Sequence, residues 1–219
     1  MLFDFAAISP REGYKLLVST VTPRPIAWVV SQNPHGRLNA APFSFFNVFS
    51  GDPPVVGIGI SSHEPGRPKD TRRNIRETRE FVVNLVSEDV AEAMNITAIE
   101  FEPSVNELAE AQLATVPSAI VKPPRIAASP VSMECSLLQI VDLGPDNGLV
   151  LGRVLAMHVH DHLVLDAHKH YIDTPKLKTI GRMHGTGWYA RTSDLFEMDR
   201  IPRKNWTLRA DENKAPSDV

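Results

Sequence analysis

Residues 25–49, PIAWVVSQNPHGRLNAAPFSFFNVF, decide the fold. "PIAWVVS" is a short run of β-formers and aromatics. It ends at "QNPHGR", where Asn33, Pro34 and Gly36 supply turn chemistry. The chain then returns through "LNAAPFSFFNVF". Two β-rich runs around such a segment form a hairpin whose loop is longer than the tightest two-residue kind. Pro42 has no N–H to give to a ladder, so the returning strand is expected to be interrupted or bulged there. Phe45 and Phe46 are expected in the core.

Outward from the hairpin the strand signals continue. "GDPP" breaks the chain, and "VVGIGISS" reads as a buried strand. Its glycines, Gly57 and Gly59, mark a close approach by backbone or ligand. After "HEPGRPKDT" a short helix is expected over Thr71–Arg79, then a strand, "EFVVNLVS". The stretch Glu88–Ala114 is expected to be helical. Val90, Met94 and Ala98 recur at helical spacing, and Ser104 with Glu107 makes a capping-box pattern. Pro117, Pro123 and Pro124 end it. Two long strands, "PVSMECSLLQIVDL" and "LVLGRVLAMHVHDHLV", flank the turn "GPDNG". "GRMHGTGWYART" is a late glycine-rich loop. No repeat is visible, and there is no βαβ rhythm. The pattern predicts a mainly β, antiparallel barrel with inserted helices. It occupies residues 1–200 as one domain, followed by a polar tail over 201–219.

Composition narrows the function. The chain has 219 residues, 42% hydrophobic and 22% charged, with a formal net charge of −3. That is ordinary for a globular protein and gives no global basic field for nucleic acid. One cysteine, Cys135, excludes an internal disulfide and reads as a small buried hydrophobe rather than a reactive thiol. The first residues lack a basic leader, and the apolar runs are too short for a membrane helix. The expectation is a cytoplasmic protein with neither nucleic acid nor membrane as partner.

Four constellations can carry chemistry. In "GRPKDTRRNI" the cations Lys69, Arg72 and Arg73 crowd the start of a helix, where the backbone already presents partial positive charge. A solvated helix end capped by Asp70 is one reading. The other is an anion held by helix N–H groups, Lys69 and the Thr71 hydroxyl. Ser61 and Ser62, at the end of the preceding strand, can meet the same anion or simply end the strand. "NAAPFSFF" offers apolar faces and polar edges of the sort a flat aromatic cofactor needs. In it Ser44 stands among Phe43, Phe45 and Phe46. Arg24, rigidly presented between two prolines, is an anion partner or a surface charge. Finally, in "HVHDH" a strand would point His158, His160 and His162 the same way. A metal is conceivable there, but an ordinary polar face is the expected reading, with no essential metal.

Four segments, "TPRPIAWV", "LNAAPFSFFN", "DPPVVGIGIS" and "KDTRRNIRETREFVVN", stand in an order that resembles the flavin reductase-like, FMN-binding split-barrel family, which includes flavoredoxin. The late "IGRMHGTGWYART" is similar to that family's glycine-rich Arg…Tyr segment, with His184 where glycine is expected. The resemblance covers residues 15–195. It implies a Greek-key split β-barrel, a homodimer, and FMN near the dimer interface. It places Ala41, Pro42, Phe43 and Ser44 along the flavin ring and ribityl chain. Ser61, Ser62, Lys69 and Thr71 then hold the phosphate, with backbone contact from Asp70. Arg24, Asn39, Arg182 and Tyr189 fall on further family positions. The implied activity is NAD(P)H oxidoreduction, with hydride passing through the flavin N5 to an unidentified acceptor. No catalytic side chain is named. The alternatives are an electron-transfer or flavin-carrier protein without nicotinamide activity, and a metal-dependent β-barrel enzyme using "HVHDH".

Overall fold

The computed structural model describes residues 1–62, 66–102, 104–203 and 206. Helix α1, Pro10–Thr20, leads in. A capping box holds its start: the Ser9 side chain accepts from the Glu12 N–H and the Glu12 carboxylate accepts from the Ser9 N–H. Strands β1 (Ala27–Gln32) and β2 (Leu38–Phe43) form the expected hairpin. Strand β3 (Phe46–Gly51) pairs with β4 (Pro54–Ser61). Helix α2 (Asp70–Thr78) leads to β5 (Glu80–Leu85).

Between β5 and the long strands the helical expectation is largely overturned. The segment holds a single 3-10 turn, then two short helices, α3 (Ala91–Ile96) and α4 (Glu107–Glu110). Only Met94 keeps the buried role its spacing suggested. Ser104 does not cap α4. Asn106 does, accepting from the Leu108 N–H, while the Glu107 carboxylate reaches away to Ala40. Two short strands, β6 (Thr115–Val116) and β7 (Arg125–Ile126), follow. Strands β8 (Val131–Asp142) and β9 (Asn147–Val159) are the long pair across "GPDNG". Last come β10 (Val164–Asp166) with β11 (Tyr171–Ile172), and β12 (Ile180–Arg182) with β13 (Tyr189–Arg191). Most of the expected polar tail lies outside the described residues.

The main sheet has seven strands in the order β2-β1-β5-β8-β9-β4-β3, every pairing antiparallel. Consecutive strands β2 and β3 therefore occupy opposite edges. Only Ser44 and Phe45 join them. An open sheet would separate those edges by roughly 29 Å, six spacings of about 4.8 Å. Three peptide steps span no more than about 11 Å. The sheet must curl until its edges nearly meet; beside the link, the Gly59 N–H donates to the Phe45 carbonyl at 2.7 Å, which carries the β3–β4 ladder one step into the connection.

The interior of that curl is one apolar cluster, including Ala27, Val29, Phe43, Phe46, Ile58 and Phe81. Alternate residues of β1 and β5, among them Trp28, Val30 and Val82, face a second cluster with Met94 from α3 and Leu108 from α4. Strand β1 is buried on both faces for that reason. Two expectations about the aromatic segment change. Pro42 neither interrupts nor bulges its strand: it pairs with Trp28 on an edge strand, where no ladder partner needs its N–H. Phe46 is core, but Phe45 is 44% exposed. The close approach at Gly57 and Gly59 is made by side chains: a Cβ at 57 would meet Phe49 at 2.5 Å, and one at 59 would meet Phe45 at 3.0 Å.

Gly152 shows the same constraint inside the barrel. A Cβ there would lie 2.3 Å from Cζ of the fully buried Phe81 ring. Gly152→Ala should destabilise the fold by about 1–3 kcal/mol through overpacking. Urea unfolding of the single variant, and of the same change in a Phe81→Leu background, checks this. The cost should shrink in the second background, and an equal cost in both would place the strain elsewhere.

Candidate functional site

The seam and the start of α2 border two cavities. The first, of about 180 Å³, is lined by Asn39, Ala41 and Pro42 of β2, Lys69, Asp70 and Thr71 of the α2 start, residues 97–101, and Glu107. The second, of about 240 Å³, is lined by Pro42, Phe43 and Ser44 together with Asn95, Arg182 and Tyr189, among others. Pro42 and Ala98 line both, so the two form one trough. The structure thus gathers ten of the residues singled out in the sequence, from three distant stretches of chain.

Helix α2 supplies one end. Asp70 is not its cap. Lys69 holds the cap position, and no side chain caps the first-turn N–H groups. Asp70 is the first helical residue, and its carboxylate pairs with Arg73. The Lys69 ammonium lies 5.9 Å from the centre of the Phe43 ring and has no carboxylate partner among the described residues. Four N–H groups at a helix start need partners from outside the helix. Here no side chain caps them, and an unpaired cation stands beside them.

Thr71 and Asn39 are both buried and lie 2.9 Å apart, hydroxyl to amide. The amide orientation that pairs every atom lets the Asn39 carbonyl accept from the Thr71 hydroxyl and the Ala40 N–H, with its nitrogen 3.3 Å from the Glu107 carboxylate. Glu107 also accepts from the Ala40 N–H at 3.1 Å. Burial pushes the Glu107 carboxyl above its ordinary value, and the Asp70 charge pushes the same way, against the favourable N–H groups of Glu107 itself and Ala40. Sequence reading passed over Glu107, treating it only as a capping residue.

Arg182 and Tyr189 face each other across the β12–β13 hairpin at the other end. The guanidinium lies 4.8 Å from the centre of the Tyr189 ring and donates to the Gly185 and Thr186 carbonyls. His184 stacks with Trp188 in the same loop, 5.9 Å between ring centres. Arg24 does not line the trough. It is buried, and its guanidinium donates to the carbonyls of Val18, Val21 and Met183, tying α1 to the hairpin. Ser61 ends β4 opposite Asn147, and Ser62 uses its N–H on the Asp146 carbonyl. The Ser62 hydroxyl accepts from Arg72. Arg72 is 6% exposed. It packs where a Cβ on Gly148 would lie 3.1 Å from its Nη1.

The histidines of "HVHDH" do not share one strand face. Only His158 lies in β9; His162 sits in a 3-10 turn. His158 Nε2 is 2.5 Å from the carboxylate of Glu134, whereas His160 is 3.1 Å from the Ala127 carbonyl. Among the described residues no group of three or more His, Cys, Asp or Glu side chains is arranged to hold a metal ion. Cys135 is fully buried, and burial pushes its thiol up to about 12.

The flavin reductase like domain family matches residues 18–174. The chain belongs to that family. The Bacillus subtilis (strain 168) protein YwrF is 41% identical over 204 residues, covering 91% of this chain and 98% of its own. Nitrilotriacetate monooxygenase component B from Bacillus cereus is 33% identical, with a TM-score of 0.85 over 90% of this chain and 98% of that one. The Pseudomonas fluorescens 2-nitrobenzoate 2-nitroreductase NbaA is also 33% identical, with a TM-score of 0.84 over 93% and 97% of the two chains. The fold is the split barrel of these proteins. Among the described residues no helix is long and apolar enough to cross a membrane.

Glu134 generates a test outside the trough. It is fully buried. Burial alone would raise its carboxyl, but the N–H of Ala119, the His158 ring and the N–H groups of Ile120 and Val121 outweigh that and hold it at about 2. A depressed carboxyl stabilises the fold above its unfolded value and loses that contribution as pH falls through the folded value. Glu134→Gln should therefore cost about 1.5–3 kcal/mol at neutral pH. The gap to wild type should close between about pH 4.5 and about pH 2, read from urea unfolding at stepped pH. A gap independent of pH would assign the loss to shape rather than charge.

Proposed function

We propose that this protein is a flavin-dependent oxidoreductase that holds FMN along the seam trough and accepts electrons from NAD(P)H. The observation that carries the proposal is the α2 start: uncapped N–H groups beside an unpaired Lys69, in a cavity continuous with one lined by Pro42, Phe43, Arg182 and Tyr189. A phosphomonoester fits the first donor set, because it turns charge–dipole repulsion into charge-assisted hydrogen bonds. A flat ring system fits the second, where Pro42, Phe43, Met94 and Ala98 give apolar surface and Ser44, Asn95, Arg182 and Tyr189 give polar edges.

In this reading the α2 amides and Lys69 bind the phosphate, and Thr71 contributes once its hydroxyl hydrogen leaves Asn39. Ser61 and Ser62 approach the same anion from the end of β4. Asn39 and Ala41–Phe43 line the ribityl path, and Ser44, Arg182 and Tyr189 border the ring. Arg24 acts from behind, fixing the segment that bridges to Arg182. When bound, the flavin supplies hydride acceptance and onward electron transfer; the protein supplies orientation and electrostatics. A homodimer is part of the proposal, supported by exposed Val48, Phe49, Leu138, Leu155 and Met157 on β3, β8 and β9. Sedimentation at micromolar concentration should give a dimer, and monomer alone removes that part.

The deciding experiment is a titration of apoprotein with FMN and with riboflavin. Lys69→Ala should weaken FMN about tenfold to somewhat over a hundredfold, the loss of a charged hydrogen bond of roughly 1.5–3 kcal/mol. Riboflavin, lacking the phosphate, should be nearly indifferent. Thr71→Val should cost FMN binding less, on the order of 1 kcal/mol. Equal losses for both flavins would make the cationic turn a solvated helix end. Anaerobic NADH or NADPH should then bleach the bound flavin; no bleaching would leave an electron-transfer or carrier protein.

A further inference from the structure

Glu107 is a trough residue whose charge opposes the proposed ligand, and it has no ion-pair partner among the described residues. Three acids line the α2 end of the cavity, Asp70, Glu100 and Glu107, against a single Lys69. The Asp70 carboxylate is paired with Arg73 but still acts on Glu107. Glu107 is half-buried, and the donors facing its oxygens are neutral: its own N–H, the Ala40 N–H at 3.1 Å and, in the paired orientation, the Asn39 amide at 3.3 Å. It sits at the start of α4 and faces α2 across the cavity, with Asn39 and Thr71 between. A phosphate entering at Lys69 and Thr71 thus brings up to two negative charges into a cavity that already contains a half-buried carboxylate without a cation partner.

We infer that Glu107 couples phosphate entry to proton uptake: the carboxylate takes one proton from solvent as the phosphomonoester binds, and so sets the charge state in which the ligand is held. The inference rests on the reading of this cavity as the phosphate end. Burial, and after it the Asp70 charge, push the carboxyl toward proton binding before any ligand arrives, and a second anion pushes the same way. Protonation leaves the acceptor of the Ala40 N–H intact and turns the other oxygen into a donor. The Asn39 amide then has no carboxylate to face and is free to turn its nitrogen to Thr71, which releases the Thr71 hydroxyl hydrogen toward the phosphate. One proton therefore removes a like charge and frees a donor at the same site. Glu107 is a positioning and specificity residue; it need not touch the reacting ring.

The test uses the apoprotein with FMN and riboflavin between about pH 6.5 and about pH 9, above the phosphate's own second ionisation near 6. FMN affinity of wild type should fall with rising pH, by up to about tenfold per unit where the bound but not the free carboxyl is protonated. Riboflavin affinity should stay flat. Glu107→Gln, which keeps the size and the Ala40 acceptor, should bind FMN more tightly than wild type at the alkaline end, with no slope. Calorimetry in two buffers of different ionisation heat counts the proton directly, up to one per FMN for wild type and none for the variant. No uptake by wild type on binding FMN overturns the inference by itself, whatever the variant does. Weaker FMN binding by Glu107→Gln with riboflavin binding retained also overturns it, by making the carboxylate a hydrogen-bond partner of the ligand. Binding of neither flavin by wild type removes the functional reading, and this inference with it.

Discussion

Two residues, Ser44 and Phe45, join strands that lie on opposite edges of a seven-stranded sheet. The short link forces closure, and closure creates the site. Had the chain spent ten residues there, β2 and β3 could sit far apart on an open sheet. Because it spends two, Ala41–Ser44 are drawn along the seam, and the start of α2 and the β12–β13 hairpin come to the same place. The glycines of β4 belong to this arrangement. They make room for Phe45 and Phe49 at the β3–β4 edge of the sheet.

The same economy explains where the charges are. Arg24 and Arg72 are buried because they tie elements together through carbonyls or a hydroxyl, α1 to the hairpin in one case and α2 to the end of β4 in the other. Lys69 makes no such tie. A lysine left without a protein partner, at a helix start without a cap, is a poor structural choice and a good ligand contact. Glu107 is its counterpart, a carboxylate held in the same cavity by neutral donors.

Much of this was legible in the sequence, for physical reasons that differ by element. The β1–β2 hairpin and the β8–β9 pair read clearly because turn chemistry and β-formers agree there. The trough residues read through the resemblance and through the oddity of cations at a helix start. The segment after β5 did not read as it folds. Its helical spacing is real at Met94, but the chain uses only short helical pieces to cover the outer face of β1 and β5. Helix α1 was missed although Ser9, Pro10 and Glu12 spell a capping box. Pro42 and Phe45 misled because strand order, which puts β2 at an edge and Phe45 at the seam, cannot be read from local pattern. Glu107 was hidden by a plausible local role as a capping residue; its actual contact, Ala40, lies 67 positions away in sequence.

The account stands most directly on what occupies the start of α2, and a crystal structure of the protein with FMN would settle it. The phosphate should lie within hydrogen-bonding distance of the first-turn N–H groups of α2 and of the Lys69 ammonium, with the ring system toward Ser44, Arg182 and Tyr189. A phosphate bound elsewhere, with those N–H groups facing only water, would contradict it.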